Sequence, residues 1–228
     1  MTASAQVLSS APAHTGVERA TLVRRTYGLV LVGIVVTMLG SALAMVQPSL
    51  MQFAAVHPFI TFLGGFMLPM WLAQRWHREF PRNIGLTLLG MLGAGVMISP
   101  VLYVMERTQP GIVSQAGILT FTTFGALTVY AAMSRRDFSA WGGFFFVGVI
   151  TLIVTSVLNM FFQNETASLW IAGATVFVFG GLLVFDTWRI LRTDTYGPDD
   201  YVIAAVSIYL DLLNIFLAIL RLLGGNRK

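Results

Sequence analysis

The stretch "VIAAVSIYLDLLNIFLAIL", residues 202–220, is long and apolar enough to cross a membrane as a helix, yet it contains one charged residue. A membrane-spanning helix needs about 20 mostly apolar residues to cross a hydrocarbon core of about 30 Å. Asp211 lies at the midpoint of these 19 residues. An acid at that depth costs roughly 2.5–3.5 kcal/mol on insertion scales, so such residues usually face the interior of a helix bundle. The stretch therefore predicts a helix packed inside a bundle, with Asp211 facing a partner.

The composition of the whole chain is typical of an integral membrane protein. Of its 228 residues 56% are hydrophobic and only 11% are charged, whereas about a quarter are charged in soluble domains. The absence of cysteine excludes disulfides, thiolate metal sites and cysteine catalysis. The net charge of +4 comes from basic residues scattered over short loops, which argues against a nucleic-acid partner. No hydrolase, metalloprotease or nucleotide-binding motif is present, so we expect no enzymatic activity.

Uncharged windows of membrane-spanning length recur along the chain and predict an all-α, polytopic fold with seven transmembrane helices. The loops between them are too short for a soluble domain, so we expect one transmembrane domain, residues 27–223. The flanking segments are predicted to be a flexible cytoplasmic tail, 1–26, and a short C-terminal tail, 224–228. The windows are 27–46, 53–73, 84–105, 112–133, 141–162, 166–185 and 202–220.

The distribution of arginine between alternate loops predicts the orientation. One side of the predicted bundle has ten arginines and the other has only Arg107. Because basic residues are enriched in cytoplasmic loops, the N-terminus should be cytoplasmic. The basic residues after the last window fit this rule only if that helix re-enters, but its length favours a full crossing. The ten are Arg19, Arg24, Arg25, Arg75, Arg78, Arg82, Arg135, Arg136, Arg189 and Arg192.

A second acid, Asp186, lies close to the cytoplasmic end of the sixth window, just before the turn that leads into the last helix. Helical spacing places Ser207, Asp211 and Asn214 on one polar stripe of the last helix. In an antiparallel hairpin of these two helices, Asp186 and Asp211 could approach each other. Two carboxylates in a low-dielectric site should share a proton, or else bind a cation such as a basic side chain or Ca²⁺.

Arg75 and Arg78, at the cytoplasmic end of the second window, are the basic side chains from elsewhere in the bundle that could neutralise the pair. An alternative is that both acids are purely structural, paired with arginines and hydrogen-bonded to Ser207 or Asn214. The sequence leaves a structural and a functional role equally open.

Two motifs, "FGGLLVFDTWRI" at 179–190 and "YLDLLNIFLAILR" at 209–221, resemble the Bax inhibitor family, and in particular its bacterial members. This resemblance implies a seven-helix fold with the last helix at its centre. It also implies a pH-sensitive calcium leak channel with no cofactor, in which Ca²⁺ is the transported ion. Asp186 and Asp211 would then form a proton-sensing pair that contacts Ca²⁺ transiently. An arginine of the second helix, Arg75 or Arg78, would latch the pair.

The same resemblance implies a second possible function. Bacterial members resemble a modulator of a membrane-anchored ATP-dependent protease, and the tail 1–26 would then contact the protease. The bilayer is the other expected partner. We expect a multi-pass protein of the bacterial inner membrane, or of an organellar membrane if the source is eukaryotic.

Overall fold

A computed structural model describes residues 16–225, and within that range the chain forms helices and no strand. Six helices are long and apolar enough to cross a membrane, and α2 and α3 together form a bent seventh candidate. The predicted all-α, polytopic fold is thereby confirmed. The helices are α1 (Gly16–Val46), α2 (Pro48–Val56), α3 (Pro58–Arg75), α4 (Arg82–Thr108), α5 (Ile112–Met133), α6 (Trp141–Phe162), α7 (Glu165–Arg192) and α8 (Tyr201–Gly225).

The last helix, α8, lies at the centre of the bundle, as predicted. More than half of its apolar window is buried inside the protein, whereas α6 is almost entirely exposed at the periphery. It packs most extensively against α7, α1 and α5 and less extensively against α4 and α3. Since apolar helix surfaces gain little from being buried away from lipid, the small and polar residues of α8 are the ones that require protein neighbours.

The predicted second span, 53–73, is wrong as one continuous helix. The chain bends by 98° between α2 and α3, at His57. Pro58 explains the bend, because proline lacks a backbone N–H and its ring disfavours helical geometry in the residue before it. An average of hydropathy over residues 53–73 includes apolar residues from both sides of the bend. It therefore predicts one span where the chain has two helices, α2 and α3. The segment that enters the bundle is α3, whose middle, Thr61–Met67, is wound as a π-helix.

The first helix begins earlier than predicted. Its first residue is Gly16, so residues 16–26 are helical and are not part of a flexible tail. Leu22 and Thr26 are buried, and the Arg19 guanidinium Nη2 donates to Asp194 Oδ1 at 2.8 Å in the α7–α8 turn. The rest of the predicted N-terminal tail, 1–15, and the last three residues, 226–228, lie outside the described residues.

The C-terminal end of α8 shows that this helix crosses the bundle completely. Gln109 Nε2, in the α4–α5 loop, donates to the Gly224 carbonyl at 3.0 Å. Arg221 Nη2 donates to Ser168 Oγ, near the start of α7, at 2.6 Å. The other end of α8 adjoins the arginine-rich turns, where Arg78 meets Asp200. The helix therefore spans and does not re-enter, although Arg221 lies near its end and two more basic residues follow it in the sequence.

Glycines bring α1 and α4 into close contact beside this central helix. A Cβ atom on Gly95 would collide with the Thr37 carbonyl oxygen and the Ser41 amide nitrogen, and one on Gly40 would collide with the Leu92 carbonyl. Small residues of this kind let two helix backbones approach closely inside a membrane. The α1–α4 pair therefore depends on the absence of side chains at these two positions.

We expect Gly95→Ala to destabilise the protein by about 1–3 kcal/mol, the usual cost of overpacking a tight contact. Thermal unfolding of the purified protein in detergent measures the change. Gly125→Ala is the matched control, because a Cβ at Gly125 meets open space. Equal unfolding temperatures for the two variants would contradict the proposed backbone contact.

Candidate functional site

Asp186 and Asp211 are both buried where α7 and α8 pack together. Asp186 lies in the last two turns of α7, and Asp211 lies in the middle of α8. Their exposed fractions are 8% and 4%, respectively. Charged residues are rarely buried to this extent without a partner. The structure thus brings these two predicted site residues to the same buried helix pair.

The two carboxylates differ in their partners. Asp186 Oδ1 accepts a hydrogen bond from Arg189 Nη1 at 3.3 Å, one turn further along α7. Asp211 Oδ2 is buried and has no hydrogen-bond partner within residues 16–225. Asp211 also lies close enough to Asp186 for their charges to repel each other. The pair therefore has one carboxylate that is bonded to a cation and one that has an unsatisfied oxygen, Asp211 Oδ2, within the described range.

The expected latch is not formed by Arg75 or Arg78. Arg78 instead donates to Asp200 Oδ1, at 3.2 Å from Nε and 3.1 Å from Nη2, just before α8 begins. Arg75 is exposed at the end of α3 and makes no hydrogen bond or ion pair with any other described residue. Both arginines are exposed where the chain leaves α3, and neither forms a hydrogen bond or ion pair with Asp186 or Asp211. Arg189 takes the place that the sequence assigned to them.

The polar stripe on α8 does not hydrogen-bond to Asp211. Asn214 Nδ2 donates to the Leu210 carbonyl of its own helix at 2.8 Å. The Ser207 side chain faces Tyr196. The alternative in which Ser207 or Asn214 satisfies the Asp211 carboxylate is therefore wrong for this conformation. Their positions on one face were predicted correctly, but their hydrogen-bond partners were not.

Two tyrosines that the sequence did not single out border the pair. The Tyr27 hydroxyl of α1 hydrogen-bonds to Thr187 Oγ1 at 2.9 Å, next to Asp186. The ring of Tyr196, in the α7–α8 turn, lies 4.8 Å from the Arg189 guanidinium carbon. Tyrosine is common at helix ends, and no local pattern distinguishes these two. Only the packing of α1 and the turn against α7 identifies them.

Tyr196 lies in the turn between α7 and α8. Its hydroxyl is close enough to Asp186 for its pKa to depend on the charge of that carboxylate. Burial raises the pKa of the Tyr196 hydroxyl above its ordinary value near 10, and the Asp186 carboxylate raises it further. The positive charge of Arg189 and contact with Ser207 lower this pKa in part. Tyr196 therefore contributes to stability below about pH 10 and loses that contribution as the pH rises through its folded-state pKa.

A cavity of about 990 Å³ lies on the opposite face of α8, enclosed by α1, α4, α5 and α8. From α8 it is lined by Tyr209, Leu212, Leu213 and Phe216, which are spaced by three or four residues along one helix face. Asp186 and Asp211 do not line it. At its α8 wall, the Tyr209 hydroxyl hydrogen-bonds to Thr37 Oγ1 at 2.7 Å. The central helix therefore separates the cavity from the carboxylate pair.

No group of three or more His, Cys, Asp or Glu side chains that could hold a metal occurs between residues 16 and 225. Ca²⁺ usually takes six to eight oxygen ligands. Two carboxylates provide at most four, so the pair by itself suits a passing cation better than a resident one. Asp186 and Asp211 are the residues that such a cation would contact.

Together, the crossing helices and the buried acids define a multi-pass membrane protein with an ionisable pair inside its bundle. Residues 19–228 match the family model described as "Inhibitor of apoptosis-promoting Bax1". The chain therefore belongs to the Bax inhibitor family, which confirms the resemblance drawn from its last two helices.

Relatives in this family come from eukaryotes and bacteria. A BI1-like protein of Arabidopsis thaliana is 34% identical over 220 residues, which cover 90% of this chain and 81% of the relative. Protein lifeguard 4 of Mus musculus is 30% identical over 97% of this chain and 90% of its own length. An uncharacterized membrane protein of Vibrio cholerae is 35% identical over 59% of each chain.

Replacing Asp186 should lower the pKa of Tyr196. In Asp186→Asn the carboxylate charge is absent and Arg189 acts on the tyrosine unopposed, so its hydroxyl should ionise at lower pH. Ultraviolet absorption of tyrosinate measures this, with Tyr196→Phe subtracted in each background to isolate one residue. Asp137→Asn, in an exposed loop, is the control. Identical titrations of Tyr196 with and without Asp186 would contradict the described geometry.

Proposed function

We propose that this protein is a pH-sensitive leak channel for Ca²⁺ or a related cation, without enzymatic activity, and that the Asp186/Asp211 pair is its proton switch. The observation that carries the proposal is the Asp211 carboxylate, which is buried beside a second acid and whose Oδ2 atom has no hydrogen-bond donor among residues 16–225. Such a group is stable only when it takes up a proton or when a cation approaches. Proton binding and cation binding therefore compete at one place.

Arg189, and not a residue of α3, is the positive charge that responds to the switch in this proposal. When Asp186 is ionised, its ion pair with Arg189 holds the end of α7, and the Arg189 guanidinium also stacks on Tyr196 of the α7–α8 turn. Protonation of the pair weakens this attraction. The turn that connects α7 to α8 is then free to change position relative to α8.

In this proposal the ion crosses part of the bundle through the cavity, on the face of α8 opposite to Asp186 and Asp211. It is bounded by the Thr37–Tyr209 hydrogen bond, and α8 lies between it and the acids. A cation that enters the cavity must pass this central helix to reach Asp211. We infer that the described conformation is closed, and that a shift or rotation of α8 opens the path.

We expect Asp211→Asn to remove the pH dependence of calcium flux, because asparagine keeps the shape of the side chain but cannot exchange a proton. Flux is measured in proteoliposomes that contain the purified protein, across a pH series. Asp137→Asn, which changes an exposed loop acid, is the matched control and should keep the wild-type profile. An unchanged profile in Asp211→Asn would rule out the switch.

We also propose that the arginine-rich face is cytoplasmic and that the protein resides in a bacterial inner membrane, with an organellar membrane as the alternative. The ten arginines on this face support the orientation, because they outnumber Arg107 and the basic residues at the end of α8 on the opposite face. The bacterial relative supports the location.

The absence of cysteine makes this orientation directly testable. Ser139 lies in the arginine-rich loop just before α6, and Ser114 lies in the first turn of α5, at the opposite end of the bundle. Each is replaced by cysteine in a separate variant. In intact cells, an impermeant maleimide should label only the Ser114→Cys protein, and permeabilised cells should label both. The reverse pattern would invert the proposed orientation.

Restraint of a membrane-anchored protease stays a prediction from the family resemblance. It depends on the N-terminal tail, most of which precedes the described residues. Residues 16–26 of that tail belong to α1, and residues 1–15 lie outside the described range.

A further inference from the structure

The cavity beside α8 opens sideways, between α1 and α5. These two helices meet at Tyr27 and Phe124, whose ring centroids are 6.1 Å apart, and both helices line the cavity beyond that contact. Met38 of α1 and Ile118 of α5 lie at its edge, with exposed fractions of 63% and 67%. Both residues lie within membrane-spanning helices. The mouth of the cavity therefore faces the hydrocarbon of the bilayer.

The cavity extends over the depth of about one leaflet. On α4 its lining runs from Ile98 to Arg107, and nine helical steps of 1.5 Å correspond to about 13 Å. Half of a hydrocarbon core of about 30 Å is roughly 15 Å. The volume of about 990 Å³ is at the upper end of the range of ligand sites, about 300–1,000 Å³. An acyl chain from one leaflet matches this shape.

One end of the cavity has a neighbouring acid and base, Glu106 and Arg107, that do not form an ion pair with each other. Glu106 is committed to capping α5, because its carboxylate oxygens accept from the Gly111 and Val113 amides at 2.7 and 3.2 Å. Arg107 is exposed, and its guanidinium carbon lies 5.1 Å from the centre of the Tyr103 ring. Among the residues that the structure describes, no carboxylate forms an ion pair with Arg107. Arginine is well suited to bind a phosphate group.

We propose that this cavity binds a phospholipid, with one acyl chain between α1 and α5 and the phosphate on Arg107. The apolar lining, the opening toward the bilayer and Arg107, which has no ion-pair partner among residues 16–225, match the three parts of that ligand. This proposal uses the face of α8 opposite to the acids. It does not rest on the Asp186/Asp211 switch, but the lipid would occupy, in the closed conformation, the cavity that the proposed ion route uses once α8 has moved.

A phenylalanine at Gly117 should occupy the cavity without disturbing the helix contacts. Gly117 lines the cavity, and a Cβ atom there meets no neighbour within 4 Å. Gly125 is a matched control on the same helix, because its Cβ also meets open space and it does not line the cavity. Arg107→Gln tests the headgroup contact, and Arg135→Gln, an exposed arginine at the other end of the bundle, is its control.

The experiment is native mass spectrometry of the delipidated full chain in neutral detergent, titrated with phosphatidylglycerol. We expect the wild type and Gly125→Phe to retain one lipid, and Gly117→Phe to retain none. Arg107→Gln should bind about five-fold more weakly, the effect of losing one basic contact at a membrane surface, whereas Arg135→Gln should bind as the wild type does. Diacylglycerol, which lacks the phosphate, should bind as weakly to the wild type as phosphatidylglycerol binds to Arg107→Gln.

Several results would overturn the proposal. Undiminished binding to Gly117→Phe would show that the lipid lies elsewhere, as would equal loss in the Gly117→Phe and Gly125→Phe proteins. Unchanged binding to Arg107→Gln, or equal binding of diacylglycerol and phosphatidylglycerol, would exclude the phosphate contact. Thermal unfolding of each variant shows whether it is folded, and Arg107→Lys should restore part of the affinity if the charge is what matters.

Discussion

The burial of the Asp211 carboxylate in the middle of α8 is the constraint on which the rest of the structure depends. A carboxylate at this depth is strongly unfavourable in contact with lipid, so the helix that contains it must be surrounded by protein. This requirement is met by the helices that pack against α8, which are α1, α3, α4, α5 and α7. The same burial leaves Asp211 Oδ2 without a donor within residues 16–225, which keeps it available for a proton or a cation.

The two faces of the central helix have different chemistry. The face toward α7 contains Asp211 and adjoins Asp186, Arg189 and the polar α7–α8 turn. The opposite face is mostly apolar and borders a large cavity, where Tyr209 is held by Thr37. A rotation of one helix would change both environments at once. A bundle with a single central helix can therefore couple an electrostatic change on one side to the shape of a cavity on the other.

The α1–α4 pair forms a tightly packed part of this bundle. Its glycines allow backbone atoms to approach within van der Waals distance, and such contacts are lost when the helices separate. The peripheral α6 contacts mainly α7 and exposes most of its surface.

Much of the fold could be predicted because membrane insertion depends on local sums of hydropathy and charge. The chain's own residues predicted the polytopic helical fold, the arginine asymmetry, the buried last helix and the placement of both acids on the last two helices. The bend at His57 was missed because a sum over residues 53–73 does not detect the break at Pro58, although that proline was itself a local signal.

What the sequence could not determine depends on contacts between residues far apart in the chain. Arg189 replaces Arg75 and Arg78 as the partner of Asp186, because the depth at which α3 ends relative to α7 is set by packing. The cavity exists because α1 and α5 touch at Tyr27 and Phe124 and line a common space beyond that point. The hydropathy and charge of each segment thus decided which segments cross the membrane. Only the tertiary structure decided which side chains face each other, because the tilt and depth of each helix arise from the packing of the whole bundle.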